Sequence, residues 1–308
     1  MNANEPAVEL SIIIASYNSE RTIEGCLDSL RHQDADRDFE IIVIDSSSND
    51  TAAKIVEEKF PEARLYRFSK RKFVGDARNF GISKASGRII AFVDADCRVA
   101  KNWVNEILKN HSSPYLAIGG AIANGNPESY VGWAAYLCEF SQWMPNTAPG
   151  WFVDMAGANI SYKKDIFGKY GGFIEGTYSS DTEFHWRIGK DGLRIRFIPA
   201  ILVFHNNIKG LAEFLRHEYY HGRSFARVRA NSQGFSGPRR WAYGVCSCFI
   251  LMKLFLAVTI RNLRNKRDIA HFIKASPLLA LGLFSWVSGE CAGYIRPFDR
   301  NVKYRIGR

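Results

Sequence analysis

Cysteine is scarce in this chain: six in 308 residues, at Cys26, Cys97, Cys138, Cys246, Cys248 and Cys291. No Cys-x-x-Cys pair occurs and no His/Cys group has zinc spacing, which removes redox-motif and zinc-finger readings. A long chain this poor in cysteine is expected to keep reduced thiols, in a cytosolic setting. Gly-x-Gly-x-x-Gly and Walker A sequences are also absent, which weakens dinucleotide-binding and P-loop readings. The stretch Met1 to Glu9 is polar and acidic, without a basic n-region or apolar h-region, so no secretory signal is expected there. Nor is there a clean run of about 20 uncharged apolar residues. The two longest apolar segments, Val245 to Ile260 and Pro277 to Ile295, are interrupted by Lys253 and Glu290.

The net charge is +10, and it is unevenly spread. Residues 1–208 carry 23 Lys and Arg against 26 Asp and Glu, whereas residues 209–308 carry 18 against 5. A near-neutral first part joined to a basic last part implies two different surfaces, the second suited to phosphates. The basic part is interleaved with long aliphatic runs and holds no nucleic-acid module, so nucleic acid is not an expected partner.

Leu10 to Ala15, Phe39 to Ile44 and Ile89 to Val93 are short, β-branched apolar runs that predict buried strands. Ala63 to Phe68 is a weaker one. Helical spacing separates them, over Glu20 to His32, Thr51 to Phe60 and Asp76 to Ala85. This alternation predicts βαβ units and a mostly parallel sheet flanked by helices, with ligands beyond the carboxyl ends of the strands. Three strands end in polar turns that would share that edge: Ser16-Tyr17-Asn18, Asp45-Ser46-Ser47-Ser48 and Asp94-Ala95-Asp96. On extended backbone the i, i+2 spacing of Asp94 and Asp96 puts both carboxylates on one face. Two acids so placed call for a positive partner, and hard oxygen ligands suit Mg²⁺ or Mn²⁺.

Further on, Lys101 to Asn110 and Ser180 to Lys190 predict helices, and Ala117 to Ala123 and Leu193 to Pro199 predict strands. The aromatic-rich stretch around Trp133, Trp143 and Trp151 is expected to pack under loops. Gly210 to Ala230 predicts a helix loaded with Arg216, His217, His221, Arg223, Arg227 and Arg229, and Gly237-Pro238 separates it from the apolar segment Val245 to Ile260. A division at 1–235 and 236–308 follows. The second part is expected to form a hairpin of interfacial or re-entrant helices, its basic run (Arg261, Arg264, Lys266, Arg267) facing anionic membrane lipids. A helical subdomain packed on the sheet, or a dimer interface, are the alternatives.

Ser11-Ile12-Ile13-Ile14-Ala15-Ser16-Tyr17-Asn18, the turn at Asp45, Ala77-Arg78-Asn79-Phe80-Gly81 and Phe92-Val93-Asp94-Ala95-Asp96-Cys97 occur in that order. As an ordered set over about residues 8–230 they resemble the family 2 glycosyltransferases with the GT-A fold. The resemblance implies a Rossmann-like α/β domain and metal-dependent, inverting transfer from a UDP-, GDP- or dTDP-sugar. By resemblance, Asp96 is the metal ligand and Asp94 faces the ribose or a metal-bound water. Asp45 with Ser16, Tyr17 and Asn18 holds the base and ribose, although Ser46 stands where a second acid is common. Arg78 either reaches the diphosphate or is a surface helix arginine. The base expected from an acidic pair is Asp181, since that pair is Ser180-Asp181 here; capping the helix is its other use. Asn159 resembles a position near the acceptor, or serves the core or a turn. His205 is an extra metal ligand or a structural histidine. The Arg216 to Arg229 helix binds an acceptor phosphate or is a solvated face, and it lacks the Gln-x-x-Arg-Trp of processive synthases, so single-sugar transfer is expected.

The implied enzyme is membrane-associated with a cytoplasmic catalytic domain, acting on a lipid-linked or glycan acceptor in polysaccharide or glycolipid synthesis. A sugar nucleotidyltransferase would want a Gly-rich basic loop where Ala15-Ser16-Tyr17-Asn18 stands. A glycosidase needs carboxylates about 5–10 Å apart across a bond, wider than this pair. A catalytically silent membrane scaffold is the reading that Ser46 and Ser180 keep open.

Overall fold

The computed structural model describes residues 8–35, 38–266 and 268–295. Its elements run β1 (Leu10–Ser16), α1 (Ile23–Arg31), β2 (Phe39–Asp45), α2 (Thr51–Lys59), β3 (Arg64–Arg67), α3 (Val74–Lys84), β4 (Ile89–Val93) and β5 (Cys97–Val99). They continue with α4 (Trp103–His111), β6 (Ala117–Asn124), α5 (Tyr130–Phe140), β7 (Gly150–Phe152), β8 (Asn159–Lys163), α6 (Asp165–Tyr170), α7 (Ser180–Gly189) and β9 (Ile195–His205). Four helices finish the described chain: α8 (Leu211–Ser232), α9 (Gly237–Val245), α10 (Ser247–Asn265) and α11 (Ile269–Ile295).

One mixed sheet has the order β3-β2-β1-β4-β8-β6-β9-β5, with β7 also on β9. β3, β2, β1 and β4 are parallel. β8 then runs antiparallel to β4, which the sequence pattern did not reveal. β1 and β4 are buried almost throughout, as strands covered by helices on both faces must be, hence their unbroken Ile/Val/Phe runs. α1 buries Ile23, Cys26, Leu27 and Leu30 against the sheet, the i, i+3, i+4, i+7 stripe of an amphipathic helix.

One segment differs from the expectations above. The stretch around Trp133 is a helix, α5, capped by Ser129, whose hydroxyl accepts from the Gly132 amide at 2.9 Å. It buries Trp133, Ala134, Ala135, Tyr136, Leu137 and Phe140. A helix covered on nearly every side has no polar stripe, so its period is invisible in the sequence. Gly237-Pro238 stands between α8 and α10 and opens the short helix α9, with Pro238 in the first turn, where a missing amide costs nothing.

α11 lies along α8 and also meets α5. A Cβ on Gly289 would fall 2.0 Å from the Tyr219 carbonyl, and one on Gly222 2.2 Å from that of Trp286, so two glycines let these backbones touch. By length and composition α11 is the one single described helix that could cross a membrane, yet 44% of its most apolar stretch is buried inside the protein. α9 and α10 meet at a 60° bend. Trp241, Phe249, Met252, Leu256 and Leu263 on them are 54–76% exposed.

Candidate active site

The strand register brings the polar turns together. Ser16 pairs with Asp45, and β4 runs parallel beside β1, so all three turns open on one edge of the sheet. β6 and β9 end on the same edge at Asn124 and His205. A concavity of about 440 Å³ lined by Tyr115, Trp151 and Arg194 sits at the starts of β6 and β9, on the opposite edge and away from these carboxylates.

Asp45 is 4% exposed. Its Oδ1 accepts from the Ser16 and Ser47 hydroxyls, both at 2.6 Å. Asn18, at φ +52°, ties the two turns: its amide donates to Ser47 Oγ, and its Oδ1 accepts from the Ser48 amide. Tyr17 is exposed, with the Arg71 guanidinium 4.3 Å from its ring centre. Arg71 also donates to the Tyr178 hydroxyl at 2.7 Å. These residues border a cleft of about 340 Å³ whose far wall is α8, through Arg216, His217, Tyr220 and His221.

Asp94 and Asp96 do not share a face of one strand. A turn, closed by the Cys97 amide donating to the Asp94 carbonyl at 2.9 Å, joins β4 to β5 and aims the two carboxylates at different partners. Asp94 pairs with Arg78, Nη2 to Oδ1 at 2.9 Å. Arg78 is 3% exposed, between the rings of Phe92 and Phe173, and the same Nη2 donates to the Gly157 carbonyl at 2.9 Å. Neither a surface position nor a free cation describes it: it is a buried brace.

Asp96 faces His205, Oδ1 to Nε2 at 3.3 Å. The antiparallel pairing of β5 with β9 sets Cys97 opposite His205, and the Asn206 amide donates to the Asp96 carbonyl. The tautomer of His205 follows from its neighbour. Asn207 spends its side-chain NH₂ on Asn124 Oδ1, Asn126 Oδ1 and the His205 carbonyl, so its own Oδ1 must accept from His205 Nδ1 at 3.0 Å. Nε2 is the nitrogen turned toward Asp96, and an outer partner on the other nitrogen is the arrangement that orients a metal-ligating imidazole. Partial burial in the crevice lifts the pKa of the Asp96 carboxyl; His205 opposes the rise and Asp94 adds to it. Cys97 offers a third atom within 4.8 Å, but burial pushes its thiol far up, so it stays protonated. A carboxylate and an imidazole are ligand types that suit a divalent cation.

Asp181 stands in the first turn of α7. Oδ2 accepts from the Gly157 amide at 3.0 Å and Oδ1 from the Thr182 amide at 2.9 Å. Gly157 therefore links two acids: its carbonyl holds Arg78 and hence Asp94, while its amide holds Asp181. Asn159 lies in the sheet, wholly buried and not in the crevice. Its Oδ1 accepts from Trp103 Nε1 at 2.9 Å, and its NH₂ donates to the Ala121 and Ile201 carbonyls, so no side-chain atom is left for an acceptor.

Sequence reasoning missed Asp154. Its Oδ1 lies 2.6 Å from His185 Nδ1, and His185 Nε2 lies 2.6 Å from the Tyr162 hydroxyl. Its Oδ2 accepts from Thr182 Oγ1 at 3.1 Å, which sets it beside Asp181. Nothing in the local pattern marks it. Also missed was Glu139 on α5, 3.4 Å from His217 Nε2. Burial opposes both charges, yet their attraction prevails: His217 pulls Glu139 down to about 2, and Glu139 lifts His217 to about 9.

The sheet order and the acidic crevice define a GT-A-type α/β protein. The chain belongs to glycosyl transferase family 2: the sequence model of that family matches residues 11–171, just over half of it. The putative glycosyltransferase EpsH of Bacillus subtilis is 35% identical over 106 residues, 34% of this chain and 30% of that protein. The pre-mycofactocin glycosyltransferase of Mycobacterium tuberculosis is 22% identical over 257 residues, 80% of this chain and 53% of that one. This chain thus spans about half or less of the curated relatives it matches. Among solved structures, a mannosyltransferase from Pyrobaculum calidifontis, in complex with GDP-Man and Mn²⁺, superposes with a TM-score of 0.58 at 20% identity, covering 94% of this chain and 86% of that one.

Proposed function

We propose that this chain moves a single sugar, with inversion, from a nucleoside diphosphate sugar to a lipid-linked or glycan acceptor at the cytoplasmic face of a membrane. The observation that carries this reading is the gathering of Asp45, Asp94, Asp96, His205 and Asp181 on one sheet edge, from four separate segments. Asp45 with Ser16, Tyr17 and Asn18 would take the base and ribose, and Asp94, braced by Arg78, would face the sugar-nucleotide.

Asp96 and His205 would hold Mg²⁺ or Mn²⁺, which when bound supplies Lewis-acid stabilisation for a leaving diphosphate. The Pyrobaculum neighbour with GDP-Man and Mn²⁺ is in keeping with that choice. Asp181 would act as the base. Each of its oxygens accepts one backbone amide, which fixes its direction and leaves lone pairs for an acceptor hydroxyl in line with the donor.

Membrane association is supported by the exposed face of α10. Phe249, Met252, Leu256 and Leu263 recur at helical spacing there, flanked by the exposed cations Arg239, Lys253, Arg264 and Lys266. Such a pattern lies in the plane of an anionic interface.

The test is Asp181→Asn, assayed across a panel of nucleotide-sugars with Mn²⁺. Transfer should fall by about 10²–10⁴-fold, the range of a lost general base, with donor affinity nearly intact. Normal turnover by this variant would exclude Asp181 as the base, and full activity in chelator would exclude the metal at Asp96.

A further inference from the structure

Among the described residues, one group of side chains apart from the crevice has the makings of a metal site. His217 and His221 stand i, i+4 on α8, so both rings leave the same face. Glu139, in the last turn of α5, reaches that face from the neighbouring helix. Glu139 Oε1 lies 3.4 Å from His217 Nε2, and one donor atom from each of the three residues falls within 4.8 Å of the others. In a tetrahedral zinc site, bonds of about 2.0–2.2 Å place neighbouring ligand atoms roughly 3.3 Å apart. The Glu139–His217 separation already matches.

Two further observations point to a ligand. His221 Nδ1 is buried with no hydrogen-bond partner, a cost that native interiors rarely bear. Its ring is held edge-on against Trp286, with centroids 4.8 Å apart, so it is positioned rather than loose. The chemistry also differs from that at Asp96. Two imidazoles and one carboxylate suit Zn²⁺ and similar borderline ions, whereas an oxygen-rich set suits Mg²⁺. His217 and His221 line the same cleft as Tyr17 and Asn18, so an ion held by three protein ligands would keep its open position on the cleft side.

We infer that Glu139, His217 and His221 form a second cation site, selective for Zn²⁺-type ions over Mg²⁺, that pins α8 to α5 on the cleft wall. The inference stands without the transferase reading. An ion there would stiffen the wall that faces the turn of Tyr17 and Asn18, and would offer a coordination position to an oxygen of a bound molecule.

The experiment uses the full chain, stripped with chelator and titrated with Co²⁺ as the spectroscopic probe, with Zn²⁺ content measured after dialysis. An Asp96→Asn/His205→Asn double variant removes the first site. That variant should still retain one equivalent of Zn²⁺ per chain and give the intense visible bands of four-coordinate Co²⁺. His221→Ala or Glu139→Gln added to that background should abolish both signals. Conversely, His221→Ala alone should leave Mn²⁺ binding at Asp96 intact by electron paramagnetic resonance, which also shows that the variant is folded. If the double variant holds no Zn²⁺, or if its Co²⁺ bands survive His221→Ala, the cluster is an ion pair only and the inference falls.

Discussion

Gly157→Ala is the sharpest single test of the arrangement, because it adds one methyl group and removes no functional atom. The new Cβ would lie 2.1 Å from Arg78 Nη1, 2.5 Å from Nη2 and 2.6 Å from Cζ. Ordinary contact begins near 3.4 Å, so the guanidinium must retreat by roughly 1.3 Å. It has nowhere easy to go, being 3% exposed between Phe92 and Phe173. Bonds of 2.9 Å to Asp94 and to the Gly157 carbonyl cannot both survive such a shift, since useful length ends near 3.2 Å. A charge-assisted bond contributes about 1.5–3 kcal/mol, and overpacking costs about 1–3 kcal/mol. Asp94 is one-third exposed, so water recovers part of the first figure. The net expectation is a loss of about 3 kcal/mol, read as a lower denaturant midpoint at unchanged slope.

Activity should fall with it. Asp94 and Asp181 both hang on this residue, and a misplacement of about 1 Å costs on the order of 10²-fold in rate. Gly168→Ala, whose Cβ meets nothing within 4 Å, is the control and should be neutral or stabilise α6 by up to about 1 kcal/mol. Adding Gly157→Ala to Arg78→Ala should do little more than Arg78→Ala alone, because the clash partner is gone. A Gly157→Ala protein within about 0.5 kcal/mol of the parent, and equally active, would refute the brace.

Two further outcomes follow from other parts of the molecule. Burial, with Lys163 and Arg88 adding to it, pushes the His111 imidazole down to about 3, while the unfolded chain titrates near 6.5. Below pH 6.5 the unfolded state takes up a proton that the folded state refuses, so stability should fall by up to about 1.4 kcal/mol per pH unit until about pH 3. His111→Gln should remove that slope in denaturation measured from pH 7 to 4, and an unchanged slope would show that His111 does not drive it. For the membrane face, Phe249→Ser/Met252→Ser/Leu256→Ser removes three apolar anchors, each contributing roughly 1 kcal/mol in an interface. Sedimentation with anionic vesicles should then fall by about 10²-fold, and equal partitioning of the variant would move the contact elsewhere.

The parallel half of the sheet was legible because β1, β2 and β4 are covered on both faces and had to be continuous apolar runs. The three polar turns were legible for the same reason, since each follows such a run. What stayed hidden depends on contacts between distant segments. The antiparallel insertion of β8 beside β4 leaves no trace in Asn159 to Lys163, which reads as an ordinary mixed stretch. Likeness leaves Asn159 open to an acceptor, the core or a turn, and the sheet takes the core use: it buries the residue and engages both ends of its amide. Arg78 could not be told from a surface arginine until Gly157, 79 positions later, was seen to close over it. Asp94 and Asp96 were spaced as a strand pair, but the turn before β5 gives each its own partner.

The serine at position 180 has a steric reason. The starts of α3 and α7 are pressed together: a Cβ on Gly75 would fall 2.8 Å from Ser180 Cβ and 2.6 Å from the Ile174 carbonyl. Ser180 itself is wholly buried. A glutamate there would drive a long carboxylate into α3, at the cost of an unpaired buried charge. The acid that the resemblance leads one to expect beside Asp181 therefore has no room on this helix. Asp154 stands close by instead, carried in from the segment between β7 and β8 and joined to Asp181 through Thr182. Its carboxylate is held by His185, which is locked in turn by Tyr162. Two acids still stand together here, but they come from different elements. A change at Asp154 should consequently alter the pH profile of turnover while leaving donor binding, proposed to lie at Asp45, untouched. Ser180→Glu should unfold the start of α7 rather than restore a missing function.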